Sequence, residues 1–172
     1  VISSDCFTEL KPKAEAVPDF IRWVLCESPE WQSHFGFDAI QLPNELIDIE
    51  PALKELHAVW PIGRLGLLRV AEKSVYDWHV DEYRLSCVNM LFTLGSISHT
   101  LFGQQRDALN KDVIELKYEP DTFYLFNNQV PHTVINLGEP RYLFSLYFQE
   151  EKDYSELRDL YNGRPQELPG NP

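Results

Sequence analysis

From Gly63 onward the chain is a succession of short segments: RLGLLRVA (64–71), LSCVNMLFTL (85–94), SHTLFG (98–103), VIELKY (113–118), DTFYLFN (121–127), HTVIN (132–136) and RYLFSLYFQ (141–149). They are rich in β-branched and aromatic residues, and clusters of Gly, Pro, Asn and Asp separate them. Many short strands at this spacing predict a sandwich or barrel. The first sixty residues read as helix and loop. VPDFIRWVLCE starts with Pro18 and Asp19 where a helix start favours them, with Phe20, Trp23 and Val24 on one face. DIEPALKELHAVW has Asp48 as N-cap, Pro51 inside the first turn, and a buried stripe of Leu53, Leu56 and Trp60. DYSELRDLYNG reads as a last helix with a capping box from Asp153 and Glu156 and an end at Gly163, and the tail RPQELPGNP reads as loop. At 172 residues the expectation is one domain: a helical and loop layer at 1–62, a β-core at 63–149, and a C-terminal helix and tail at 150–172.

Composition narrows the function. With 44% hydrophobic and 13% aromatic residues this is a folded chain and not a disordered tail. A net charge of −12 makes a nucleic-acid backbone a poor partner and favours solubility. Cys6, Cys26 and Cys87 form no CxxC pair and read as reduced, small core residues. No signal peptide and no membrane-spanning apolar run is read, so a cytoplasmic setting is expected.

The chemistry concentrates in VYDWHVDEYR (75–84). Side chains at i and i+2 of a strand share a face, so an extended YDWHVD puts His79 and Asp81 together and turns Val80 away. An imidazole and a carboxylate so placed can hold one metal ion, although an HxD tripeptide alone more often marks a surface salt link or a turn. His132 stands 51 residues after Asp81, at the start of HTVIN. With LGEP as a four-residue hairpin loop, Asn136 faces Arg141, Val134 faces Leu143 and His132 faces Ser145. His132 and Arg141 then lie on one surface. Two His and one carboxylate occupy one face of an octahedral ion and leave three positions open, a set that suits non-haem Fe(II) and other divalent metals. A cation deeper on that face can grip a dicarboxylate by its planar fork.

These residues resemble the Fe(II)/2-oxoglutarate-dependent dioxygenases, and within them the aspartyl/asparaginyl hydroxylase-like or phage and bacterial branches. The matching pattern is H-x-D-x-x-R (His79, Asp81, Arg84), an Asn in an apolar strand (Asn89), and P-H-x-V-x-N ending in Arg (Pro131, His132, Val134, Asn136, Arg141), over about residues 64–148. The resemblance implies a mainly β, double-stranded β-helix (jelly-roll or cupin-like) core with flanking helices. It implies Fe(II) held by His79, Asp81 and His132, and 2-oxoglutarate with its C5 carboxylate on Arg141. Dioxygen is the co-reactant, and succinate and CO2 are released as a small-molecule, amino-acid or peptidyl substrate is hydroxylated. Where some relatives have Ser two residues after the Arg, this chain has Leu143, and Ser145 is the candidate substitute on the same strand face. Some aspartyl/asparaginyl hydroxylases lack the carboxylate ligand that Asp81 supplies here. The first sixty residues are expected to carry much of the substrate choice.

Other polar residues have two readings each. Arg84 binds substrate or cosubstrate, or pairs with Asp81 or Glu82. Asn89 meets a cosubstrate oxygen or a backbone group. Asn136 is read chiefly as a turn residue before LGEP. Tyr118 and Tyr124 can donate to a carboxylate and Trp78 can wall the pocket, but all three are read chiefly as packing residues, and His34, His57 and His99 as structural. A cupin-type metalloenzyme that does not use 2-oxoglutarate, and a non-catalytic metal- or ligand-binding domain, remain the alternatives.

Overall fold

Alternation along the strands sorts the side chains of this chain onto two faces, and a computed structural model, which describes residues 2–93 and 97–163, shows what each face meets. The C-terminal tail, read as loop, lies outside the described residues, as does Leu94 of the 85–94 segment. In chain order the elements are α1 (Ser3–Cys6), β1 (Phe7–Glu9), α2 (Val17–Cys26), β2 (Gln32–Ser33), β3 (Asp38–Leu42), α3 (Leu46–Ile49), α4 (Pro51–Val59), β4 (Ile62–Val70), β5 (Ser74–His79), β6 (Ser86–Leu91), β7 (Ser98–Gln105), β8 (Lys111–Leu116), β9 (Tyr124–Asn127), β10 (His132–Asn136), β11 (Arg141–Phe148) and α5 (Tyr154–Asn162). Two antiparallel sheets result, a larger one ordered β1-β9-β6-β11-β4-β3-β2 and a smaller one ordered β5-β10-β7-β8. This is the double-stranded β-helix, with helices on the outside of the larger sheet.

Leu65 and Leu67 of β4, Val88 and Met90 of β6, and Phe144 and Leu146 of β11 point outward into one buried core with Val17, Ile21, Leu53, Leu56 and Leu157 of the helices. Each such side chain contributes roughly 1.5–3 kcal/mol by leaving water. The alternate residues of the same strands, among them Leu68, Asn89 and Leu143, face inward and line a cavity between the sheets. Phe102, Tyr124, Phe126 and Leu116 form a second buried cluster, from which Phe126 reaches the cavity.

Several local expectations change. The first sixty residues also supply three strands of the larger sheet; at 3, 2 and 5 residues they are too short to show a period. On α2 the buried stripe is Val17, Ile21 and Val24, at i, i+4 and i+7, while Trp23 is 57% exposed and packs on Phe20. Asp48 lies inside α3, and Glu50 takes the N-cap of α4 because Pro51 occupies its first turn. The Glu50 carboxylate turns away to accept the amides of Glu15, Ala16 and Val17 at 2.9, 2.8 and 3.0 Å, so it caps α2 from a distance. Leu53, Leu56 and Trp60 are buried as expected. Asp153 holds the N-cap position of α5 without a side-chain cap bond, so no capping box forms there. Cys6 and Cys87 are buried free thiols, but Cys26 is exposed at the end of α2. No helix among the described residues is long and apolar enough to cross a membrane.

The largest correction concerns HTVIN-LGEP-RYLF. β10 pairs with β5 and β7, whereas β11 pairs with β4 and β6, so the two are not a hairpin. Residues 137–140 cross from one sheet to the other. Asn136 is the turn residue: its amide donates to the carbonyls of Ala71 and Glu139 at 2.8 and 2.9 Å. His132 and Arg141 therefore do not share a sheet face; they look at each other across the cavity between two sheets.

Candidate metal centre and cosubstrate pocket

His79 reaches the interior because β5 contains a bulge. His132 pairs with His79 and Val134 with Tyr76, so Asp77 and Trp78 together oppose Thr133. Strict alternation would put Tyr76 and His79 on opposite faces; the extra residue turns both inward, with ring centroids 4.1 Å apart. The Asp77 carboxylate takes the Trp78 amide at 2.7 Å. Trp78 lies on the outer face against Gly103, where an added Cβ would stand 2.7 Å from the indole, with the Lys111 ammonium 5.4 Å from its ring.

The two histidines are oriented alike. His79 Nδ1 lies 2.6 Å from the Asp77 carbonyl and His132 Nδ1 2.9 Å from the Val130 carbonyl. A carbonyl only accepts, so each Nδ1 carries the proton and each Nε2 keeps its lone pair for a ligand bond. Burial pushes the His132 imidazole down to about 4, which holds it neutral near pH 7. Asp81 lies just past β5, tethered by its amide to the Asn128 carbonyl at 3.1 Å. Its Oδ1 is 3.6 Å from His79 Nε2. One ligand atom each from His79, Asp81 and His132 lie within 4.8 Å of one another, which fits one divalent ion on a facial set. Val80 is half-exposed and belongs to the mouth of the cavity.

The cavity they border has a volume of about 560 Å³. Arg141 lies in its wall, 1% exposed. It donates to Thr100 Oγ1 at 2.7 Å, and the Tyr118 ring lies 5.8 Å from its Cζ. Among the described residues no carboxylate comes within ion-pair distance of it, and its Nε has no partner. Burial lowers its pKa, yet a guanidinium stays protonated. The Tyr118 hydroxyl is also buried, beside the guanidinium, and burial raises its pKa. A buried cation without an acid, lying beside a buried hydroxyl, can be satisfied by an anion.

The structure brings His79, Asp81, His132, Arg141, Arg84 and Asn89 to this one cavity. It places Ser145 differently from the expectation: its hydroxyl accepts from Arg84 Nη1 at 3.1 Å, and the neighbours of Arg141 are Thr100 and Tyr118 instead. Tyr124 is a packing residue whose hydroxyl takes the Glu119 amide. His57 accepts the Ile62 amide and His99 pairs with Glu115, both away from the cavity. His34 stacks on Phe37 in a two-residue turn closed by its own amide to the Phe37 carbonyl. Thr100 and Asn128 escaped sequence reasoning, because nothing local distinguishes a polar residue that points inward; Tyr118 lines the cavity, the lesser of its two readings.

No family model matches the sequence, and no curated protein matches it. Solved structures do. A Pseudomonas putida prolyl-4-hydroxylase superposes with a TM-score of 0.60 at 9% identity, over 87% of this chain and 95% of that one. A prolyl hydroxylase from Trichoplax adhaerens, in complex with a hypoxia inducible factor peptide fragment, gives 0.59 at 13% identity, over 92% and 88%. The viral collagen prolyl hydroxylase of Paramecium Bursaria Chlorella virus-1, in a 2-oxoglutarate complex, gives 0.55 at 12% identity, over 86% and 98%. The chain thus has the double-stranded β-helix fold of solved 2-oxoglutarate–Fe(II) oxygenases, with a His-Asp-His group in its cavity.

Proposed function

We propose that this protein is an Fe(II)- and 2-oxoglutarate-dependent oxygenase that hydroxylates a small-molecule, amino-acid or peptidyl substrate. One observation supports this above the rest: Arg141, a buried guanidinium without an acid, faces the same cavity as the three clustered ligand residues. His79, Asp81 and His132 would hold the metal, and Arg141 with Thr100 and Tyr118 would take the far carboxylate of the cosubstrate. Bound there, Fe(II) supplies the coupling of dioxygen reduction to decarboxylation of 2-oxoglutarate, giving succinate, CO2 and an oxidised substrate. The protein's own share is positional. Nδ1 of each histidine is held by a carbonyl, Arg84 and Asn128 hold Asp81, and Leu68, Val134 and Leu143 keep the inner pocket apolar. At the mouth, Phe35 and Tyr83 are 96% and 88% exposed, and a substrate resting there would cover them. The narrower kinship to the aspartyl/asparaginyl hydroxylase-like or phage and bacterial branch, a single domain over 1–172, and a cytoplasmic setting belong to the same reading and rest on the sequence.

The test is calorimetry of the Mn(II)-loaded protein with 2-oxoglutarate, followed by succinate release with Fe(II) and candidate substrates. Binding lost in Arg141→Ala and turnover to succinate are expected. Failure to bind 2-oxoglutarate, or binding indifferent to Arg141→Ala, refutes the proposal and favours a cupin-type metalloenzyme of other chemistry. Binding without turnover favours a non-catalytic ligand-binding domain.

A further inference from the structure

The two oxygens of Asp81 live in different surroundings. Oδ2 accepts Arg84 Nε at 3.1 Å, Arg84 Nη2 at 2.9 Å, and the side-chain amide of Asn128. Oδ1 has no hydrogen-bond donor among the described residues and faces His79 Nε2. A carboxylate oxygen has about two lone-pair directions, so three donors saturate Oδ2.

The donors are themselves held. Arg84 is largely buried, its Nη1 donates to Ser145 at 3.1 Å, and its Cζ lies 4.5 Å from the Tyr147 ring centroid. The Asn128 oxygen takes the Cys87 thiol at 3.1 Å, which turns its amide nitrogen toward Asp81. Gln129 pins the same segment by donating to the carbonyls of Asp81 and Arg84 at 2.9 and 3.1 Å.

We propose that Arg84 and Asn128 are positioning residues that occupy Asp81 Oδ2 and so restrict the carboxylate to one metal-binding oxygen, Oδ1. The inference rests on the metal site proposed above. Its consequence is a count of positions: a facial set with a one-oxygen carboxylate leaves three open, whereas a carboxylate using both oxygens leaves two. A two-atom cosubstrate and one further co-reactant would need all three. A purely structural salt link predicts something else, a loss of stability with metal affinity untouched.

The experiment is a double-mutant cycle read as Mn(II) affinity by calorimetry, with visible absorption of the Co(II)-loaded protein as a report on coordination number. Arg84→Met is expected to weaken Mn(II) binding by roughly 10–100-fold, the usual range for outer partners of a ligand, and to alter the Co(II) spectrum. Arg84→Lys, a point charge without the fork, recovers part of the affinity. In an Asp81→Ala background Arg84→Met is expected to have no further effect, because its route to the metal is gone. Equal losses in both backgrounds, or unchanged affinity and spectrum, overturn the proposal. Should Arg84→Met fail to fold, Asn128→Ala and Ser145→Ala carry the same cycle, each expected to weaken Mn(II) only when Asp81 is present; no effect from either overturns the proposal. Wild-type protein that binds neither ion refutes the metal site itself, which is a different failure.

Discussion

Replacing Arg141 by Met should make the free protein more stable while destroying its capacity for 2-oxoglutarate. Arg141 is 1% exposed and has no acid partner among the described residues, so folding strips its charge of water and returns only neutral partners, Thr100 and the nearby Tyr118. Exchanging even a paired buried charge for apolar side chains of similar volume is often neutral or gains about 1–4 kcal/mol, and Arg141 has no ion pair among the described residues to lose. The lost bond to Thr100 takes back about 1 kcal/mol. The net gain for the apoprotein is therefore roughly 0–3 kcal/mol, or up to about 10 °C in Tm at ~2–4 °C per kcal/mol for a chain of this size. The ligand arm has the opposite sign. A buried carboxylate deprived of its guanidinium loses about 3–5 kcal/mol of binding, a factor of roughly 10²–10³ or more in Kd. Thermal unfolding with and without 2-oxoglutarate reads both arms. Wild type at about 100 Kd of ligand gains ~2.7 kcal/mol, and the variant gains nothing at the same concentration. A variant that unfolds more easily than wild type without ligand, yet still shifts on addition of 2-oxoglutarate, refutes the reasoning on both counts.

Two further outcomes follow from the geometry. In the metal-free protein the folded His132 titrates at about 4 against 6.5 for the free side chain, so between those values the unfolded chain binds the extra proton and stability falls as pH falls. The loss is on the order of 3 kcal/mol across the window; urea titrations from pH 7 to 4 should show it, His132→Gln should flatten it, and an unchanged slope in that variant contradicts the assignment. Gly36 has φ +82° and an added Cβ there would stand 2.3 Å from the Tyr76 ring, which packs on His79. Gly36→Ala should therefore cost about 1–3 kcal/mol in unfolding free energy and weaken Mn(II) binding by displacing Tyr76; unaltered stability and affinity would show that the turn absorbs the methyl.

Much of the β-core was legible because Gly, Pro, Asn and Asp punctuate short segments rich in β-branched and aromatic residues. The candidate ligand cluster was legible because imidazole and carboxylate chemistry is rare enough that His79, Asp81 and His132 stand out together. The path from one to the other was less so. The reading of β10 and β11 as a hairpin was wrong because a four-residue loop serves a turn within a sheet and a crossing between sheets equally well. Arg141 still meets the cavity, since both strands turn their alternate residues to the same interior from opposite sides. The bulge at Asp77 and Trp78 is set by pairing with Thr133, a contact of 55 or more residues along the chain, and no local pattern announces it. Thr100 and Tyr118 become neighbours of Arg141 only when β7 and the segment after β8 fold over it. Strands β1, β2 and β3 owe their existence to partners on the larger sheet more than to their own few residues.

The crossing at residues 137–140 has a mechanical meaning. The two histidines belong to the smaller sheet and Arg141 to the larger one. A ligand spanning them would be a tie rod between two plates, and the Arg141–Thr100 bond is the short strut beside it. The gap between the plates is thereby a dimension of the candidate site, set by side chains remote from it: the outward core of β4, β6 and β11 shapes one plate, and Trp78 seated on Gly103 braces the other.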